Sequence, residues 1–266
     1  MGFELKESYR IEDLLEIMRI LRSENGCPWD KIQTHQSIRR DFVEETYEAI
    51  EAIDREDPVM LEEELGDVLL QVVFHARIEE EKDVFSFDDV CDGVCKKLIL
   101  RHPHIFGDVT ADTPEEVLKN WDAIKKQEKG QETYSDTLSA VAKTLPALMR
   151  SAKVQKRAGR AGFDYADTAE AMADLQSELS ELQEAISGGD ADAVDEEFGD
   201  LLFSCVNVSR FLHVDAEESL VRSTEKFIRR FTELERLANA AGIRMQEASM
   251  TTLNELWKEA KKHVHS

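Results

Sequence analysis

The segment LEEELGDVLLQVVF at 61–74 returns, altered but aligned, as VDEEFGDLLFSCVNV at 194–208. Glu64 and Glu197 are 197 − 64 = 133 residues apart, and Asp67 and Asp200 are also 200 − 67 = 133 apart. Glu45 to Glu178, Glu48 to Glu181, Gly66 to Gly199 and Leu69 to Leu202 keep the same interval. No insertion or deletion separates the two acidic pairs in either copy, so the chain is an internal duplication whose halves must build the same unit. A length of 266 residues then divides into two domains. The expected bounds are 1–128 and 151–266, with 129–150 as a linker that opens on the low-apolar stretch KGQETYSD.

Hydrophobic residues make up 42% of the chain and charged residues 33%, the balance of a folded globular protein. Apolar spacing predicts an amphipathic helix over 9–22, a break at ENGCPWD, and helices over 37–54, 60–81 and 88–100. TPEEVLKNWDAIKKQEK predicts another helix, from 113 to 129. The second half repeats the plan after a Lys/Arg-rich segment ending at Arg160, with helices near 168–187, 191–213 and 215–240. No run alternates with the period of a strand. The expected fold is all-α, two tandem helical domains, each a small bundle or half of one.

A net charge of −23 argues against a nucleic-acid or anionic-membrane surface, which needs a basic face. A phosphate-bearing small molecule is still compatible, because salt confines exposed charge to about 8–10 Å and a local cation can dominate one site. Cys27, Cys91, Cys95 and Cys205 show no CxxC and no zinc-like pairing with His; Cys91 and Cys95, on one helical face, read as packing residues. Apolar runs fall short of the ~18 residues of a membrane span, and MGFELKESYR has no signal-peptide core. A reducing, cytoplasmic setting is expected.

Residues three apart on a helix share a ridge, so Glu45 with Glu48, and Glu64 with Asp67, are neighbours. Glu45 and Glu48 border an apolar cluster of Phe42, Ala49 and Ile53, while Glu44 and Glu51 point outward. Glu64 and Asp67 border a stripe of Leu61, Leu65, Val68 and Val72. Packing the two stripes together would gather four carboxylates at one seam, and Glu178, Glu181, Glu197 and Asp200 would do the same in the second copy. Such crowding costs several kcal/mol per desolvated charge unless it is neutralised. Protonation is one remedy and a hard divalent cation the other; Mg²⁺ takes oxygen ligands and shares its shell with water and phosphate. A lone ExxE in so acidic a chain is usually a solvated face, and packing alone explains the repeated Leu and Gly. It does not explain acids on the apolar border of both copies. Gly66 and Gly199, each inside a predicted helix, are expected to mark close approach by a neighbouring helix or a ligand.

The pattern Glu-x-x-Glu, fifteen residues, Glu-x-x-Asp, written twice, resembles the MazG-type nucleoside triphosphate pyrophosphohydrolases. GCPWDKIQTHQSI, ELGDVLLQVVFHARI, RHPHIFGD, LPALMRSAKVQKRAGRAGFD and EKFIRRFTELER are similar to stretches of that family. The resemblance implies two MazG domains, a helical bundle completed by homodimerisation, Mg²⁺ with Mn²⁺ as a substitute, and no stable nucleic-acid or membrane partner. It implies cleavage of a nucleoside triphosphate to monophosphate and diphosphate, in the service of the nucleotide pool. The eight acids would be metal ligands, and Glu196, with Glu63 in the first copy, a proton acceptor. Lys226, Arg229 and Arg230, at i, i+3 and i+4 on one helix, match a phosphate-contacting segment; on spacing alone they read equally as a solvated basic face. Trp257 matches a tryptophan that lies against the nucleotide, and on sequence alone it reads as a core residue.

The two copies differ. At the same offset, Lys226 falls on Gly93, and Arg229 and Arg230 fall on Lys96 and Lys97, which ranks the second copy ahead as the catalyst. Against that order, the second copy has Ser177 where the first has Glu44. A non-catalytic dimerisation or regulatory module with a vestigial acidic site is the alternative. A di-iron carboxylate bundle is discounted, since no Glu-x-x-His accompanies the acids.

Overall fold

In a computed structural model of the chain, residues 3–109 and 133–264 are described, together with Thr113, Glu116, Val117, Trp121 and Ile124. The helix expected over 113–129 and the first residues of the expected linker therefore lie largely outside the described residues. Described secondary structure is helical, with no strand among the described residues. The chain divides into two compact units, Met1–Lys125 and Lys126–Ser266.

In the first unit, α1 (Ile11–Leu21) packs on α3 (Pro58–Glu80), and α2 (Arg39–Asp54) forms a hairpin with α3. Asp57 sets the start of α3 by accepting from the backbone N–H groups of Val59 and Met60, and Pro58 occupies its first turn, where a missing N–H costs nothing. Glu56, at φ 53, turns the chain between the two helices. Then come α4 (Phe87–Arg101), begun by a reciprocal Ser86–Asp89 cap, and the single turn α5 (Pro103–Phe106). Met18, Ile38, Val73, Phe74 and Ile78 form the core, with Ile11, Leu14, Leu15, Leu70 and Phe87 against it.

The core therefore sits at the C-terminal half of α3, away from its acids. Around the acids the apolar border is open: Leu65 is 54% exposed, Ile53 57% and Phe42 36%. The stripe expected to close between α2 and α3 is thus only partly covered within the unit. Cys91 and Cys95 are exposed, which corrects their reading as packing residues. A Cβ on Gly66 or Gly199 would meet nothing within 4 Å, so no neighbouring helix among the described residues demands either glycine.

The second unit repeats the hairpin with α8 (Thr168–Gly188) and α9 (Ala191–Phe211), joined through Gly189 in the left-handed region (φ 73) and the N-cap Asp190. Helix α7 (Ala147–Arg160) packs on α9. A Cβ on Gly159 within it would stand 2.3 Å from an Asp164 carboxylate oxygen, so a larger residue there would displace that carboxylate. That carboxylate is held by Arg210 of α9. Helix α10 (Ala216–Ala240) packs on α7 and on the C-terminal α11 (Met250–His263), where His263 meets Glu233 at 2.6 Å. Within the segment read as a linker, α6 (Tyr134–Ser139) forms on a Thr133–Asp136 capping box and packs on α7.

One arginine ties the first unit together. The Arg22 side chain, 5% exposed, binds Glu81 at 2.8 and 2.9 Å and donates to the carbonyls of Asp30 (2.6 Å) and Gln33 (3.2 Å). Its guanidinium also lies 5.2 Å from the centre of the Phe74 ring. Burial pushes the Glu81 carboxyl up, but Arg22 and Arg77 together hold it below its ordinary 4.5. A depressed carboxylate stabilises the fold above its unfolded-state value and loses that contribution as pH falls through the folded one. Arg22→Met, which keeps the stem and removes the guanidinium, is expected to destabilise the protein by about 2–3 kcal/mol in urea unfolding near pH 7, with a smaller difference from wild type below pH 4.5.

Candidate active site

Each hairpin brings its acids to one place. One carboxylate oxygen each from Glu45, Glu48 and Glu64 lie within 4.8 Å of one another, and so do those of Glu178, Glu197 and Asp200. Asp67 and Glu181 stand just outside these sets but act on them: Asp67 raises the Glu45 carboxyl, and Glu181 raises both Glu178 and Glu197. Glu181 accepts from the Ser177 hydroxyl at 2.9 Å. In the first copy the residue at that offset, Glu44, turns out to Arg40 at 2.9 Å, and Glu51 pairs with Arg55 while still adding to the field on Glu64.

Electrostatics report the crowding. Burial comes first in raising Glu45, Glu64, Glu178 and Glu197, followed in each by the neighbouring carboxylates. No Lys or Arg among the described residues forms an ion pair with any of the eight acids. Clustered carboxylates with no cationic side chain between them form a donor set of hard oxygens carrying uncompensated negative charge, which fits a divalent cation of the Mg²⁺ type and not a thiophilic one. Glu63 and Glu196 are exposed and lie outside the three-residue sets, each adding to the field on its neighbour Glu64 or Glu197.

The basic trio sits elsewhere, on α10. Lys226 and Arg230 are half-buried and Arg229 is exposed. Arg230 keeps its Nε buried with no hydrogen-bond partner. Trp257 of α11 packs on Phe227 of α10, ring centres 5.3 Å apart, and so lies beside the helix of the cations. No hydrogen bond or ion pair among the described residues joins the trio to the acids.

Beside the second acidic set lies a cavity of 470 Å³, and Glu178 and Asp200 both line it. Sequence reasoning missed its other polar residues, among them Gln155, Asp174, Ser204, Asn207 and Arg210. Asp174 accepts from the Ser204 hydroxyl at 2.6 Å. Burial and a hydrogen bond to Asp174 push the Tyr165 phenol up to about 12. A signal for part of this existed: Asp174 lies one turn before Glu178, and 174 − 133 = 41 is also an aspartate.

The model of the MazG nucleotide pyrophosphohydrolase domain matches the chain twice, over residues 33–106 and 167–234. The chain belongs to the MazG family. Each match contains one complete acidic quartet. Among MazG relatives, a Thermotoga maritima protein named nucleoside triphosphate pyrophosphohydrolase/pyrophosphatase MazG is 45% identical over 94% of this chain and 95% of its own length. An Escherichia coli nucleoside triphosphate pyrophosphohydrolase is 42% identical over 95% of this chain and 97% of its own. The Bacillus subtilis protein YabN is 45% identical over 92% of this chain, which spans 50% of it.

A carboxyl whose folded-state proton affinity exceeds that of the unfolded chain weighs against folding above its folded-state titration, and the penalty lifts as pH falls through it. In chelator, the acidic sets therefore oppose stability most at neutral pH and progressively less as pH falls. Saturating Mg²⁺ is expected to raise the neutral-pH Tm by several degrees. Glu197→Gln is expected to have a higher Tm than wild type in chelator and a smaller response to Mg²⁺. Thermal unfolding with and without the ion across pH 5–7 measures both.

Proposed function

We propose that this chain is a divalent-cation-dependent hydrolase that cleaves nucleoside triphosphates between the α- and β-phosphates, releasing monophosphate and diphosphate. The convergence of three carboxylate oxygens within 4.8 Å in each hairpin carries the reading, and the names of the relatives support it. Glu178, Glu181, Glu197 and Asp200 would hold the cation in the second unit, and Glu45, Glu48, Glu64 and Asp67 in the first. Mg²⁺ is the ion proposed, with Mn²⁺ as its substitute; when bound, it neutralises phosphate charge and acidifies water.

The chain's own groups do the rest. Water attacks the α-phosphorus, the bond to the α–β bridging oxygen breaks, and diphosphate leaves with that electron pair. Glu196, or Glu63 in the first unit, stands one residue from a ligand position and is exposed, so it can take the water's proton and release it to solvent. Lys226, Arg229 and Arg230 would meet the phosphates; the unpartnered Arg230 Nε is a donor that a phosphate oxygen satisfies. Trp257 would lie against the nucleotide. The first unit's substitutes, Gly93, Lys96 and Lys97, are weaker: Lys96 is already paired with Asp92 at 2.6 Å. The second unit is therefore proposed as the principal catalyst, in a cytoplasmic enzyme that clears the nucleotide pool.

Open apolar faces on both hairpins support the proposed homodimer. Leu65 and Leu69 on α3 are 54% and 39% exposed, and their counterparts Phe198 and Leu202 on α9 are 52% and 43%. A second copy packed there would complete the bundle and exclude water from the acids. Sedimentation is expected to give twice the 30.3 kDa of one chain.

Pyrophosphate release from each nucleoside triphosphate tests the activity. Glu197→Gln is expected to lower it at least ~100-fold and Glu64→Gln far less. Equal losses remove the preference for the second unit. Release of inorganic phosphate alone, or no chelator-sensitive turnover, leaves the non-catalytic module as the better account.

A further inference from the structure

The wall of the second unit's cavity contrasts with the packing at the same sequence offset in the first. At the 133-residue offset, Gln155 corresponds to Arg22 and Asn207 to Phe74. In the first unit those two residues pack on each other, guanidinium over ring at 5.2 Å, with Phe74 4% exposed. In the second, two amides replace them and both line a 470 Å³ space. A volume of several hundred Å³ is that of a small-molecule site.

The polar atoms of that space are unequally satisfied. Gln155 is 5% exposed; its Nε2 donates to the Phe203 carbonyl at 2.8 Å, which fixes the amide, while its Oε1 is buried with no partner. A buried acceptor without a donor costs roughly the free energy of a lost hydrogen bond, so it marks a place where a ligand N–H is missing. Asn207 accepts from the Arg210 Nε and Nη2 at 3.1 and 2.9 Å through its Oδ1. What Asn207 can still offer a ligand is its NH₂. Phe203 and Tyr165 add aromatic wall. At the other side, Glu178 and Asp200 belong at once to the cavity and to the acidic set.

We infer that this cavity receives the base of the nucleotide whose phosphates meet the adjacent acidic set, and that Gln155 Oε1, aided by the Asn207 NH₂, reads an N–H beside a ring or carbonyl acceptor on the base edge. The inference rests on the proposed triphosphate chemistry for the neighbouring subsite, and it makes the second unit the one that chooses among bases. The first unit, with Arg22 on Phe74 at those positions, uses them for its own stability. A site that must satisfy a buried amide discriminates more sharply than an apolar slot, because the wrong edge leaves Oε1 unpaired.

Two variants and two readouts test it on the full-length chain. Ala158→Leu adds bulk from α7 into the cavity, and Gln155→Leu removes the acceptor at similar size; Ala158 lines the space and is half-buried. Binding of the four ribonucleoside 5′-monophosphates, by calorimetry with Mg²⁺, needs no turnover. Wild type is expected to show a spread of about ten-fold or more between the best and worst base. Ala158→Leu is expected to weaken all four by about ten-fold or more, and Gln155→Leu to compress the spread to about two-fold. The KM values for pyrophosphate release should follow the same pattern. Monophosphate affinities that stay within two-fold of wild type in Ala158→Leu overturn the assignment of the cavity. An unchanged base ranking in Gln155→Leu overturns the role of that residue. Since the variants act by different means, a folding defect in one, seen by circular dichroism, leaves the other to decide. If no triphosphate releases pyrophosphate but monophosphates bind as described, the activity proposed above fails and the pocket stands; if pyrophosphate is released and neither variant alters KM or affinity, the activity stands and the pocket fails.

Discussion

Repulsion among carboxylates placed where water is partly excluded is the interaction on which the rest of this structure turns. Each hairpin sets three acidic oxygens within 4.8 Å and a fourth acid close behind them. A fold that tolerates such crowding must recover the free energy elsewhere or through a ligand. The helix starts around the sites are well built, with Asp57, Asp167 and Asp190 each accepting from backbone N–H groups at an N-terminus. These caps and the Arg22 clamp hold the hairpins without relying on the acidic seam. The seam is thereby left as an unfavourable arrangement in the protein alone, one compatible with a divalent cation.

The secondary structure was legible because hydrophobic spacing and turn chemistry agreed. Pro58 and Asp57 fix the start of α3, and Gly189 with Asp190 fixes the α8–α9 turn, within a residue or two of where the pattern placed them. Tertiary cover was not legible. Leu65 has the spacing of a core residue and is 54% exposed, since periodicity shows that a face is apolar without showing what covers it. Cys91 and Cys95 were misjudged for the same reason. Helix α6 hid inside a polar stretch because its start depends on one Thr133–Asp136 cap, whose short-range pattern is weak against so few apolar residues.

The candidate site divides along similar lines. Glu45, Glu48 and Glu64, with Glu178, Glu197 and Asp200 in the second copy, could be found because an i, i+3 spacing and an exact repeat are both one-dimensional signals. Gln155 and Asn207 are 207 − 155 = 52 residues apart on different helices, and only packing of α7 on α9 makes them neighbours across one cavity. Lys226, Arg229 and Arg230 fall between these cases. Their spacing correctly places them along one helix, α10, but spacing carries no information on which neighbouring element they serve.

Duplication explains why the two units can differ at no cost to the shared frame. Both keep the hairpin, the acids and a helix packed on the second hairpin helix, as α1 does on α3 and α7 on α9. Within that frame the first unit places a charged, hydrogen-bonded Arg22 over a buried ring, an interaction that strengthens the fold. The second has amides at the same sequence offset, leaves one acceptor unsatisfied and keeps a cavity, three features that each cost stability in an empty protein. Sites that bind or catalyse are drawn from such unfavourable arrangements. The contrast between Arg22 on Phe74 and the cavity lined by Gln155 and Asn207 is thus one of free energy: the first contact adds to the stability of its unit, and the second arrangement subtracts from it.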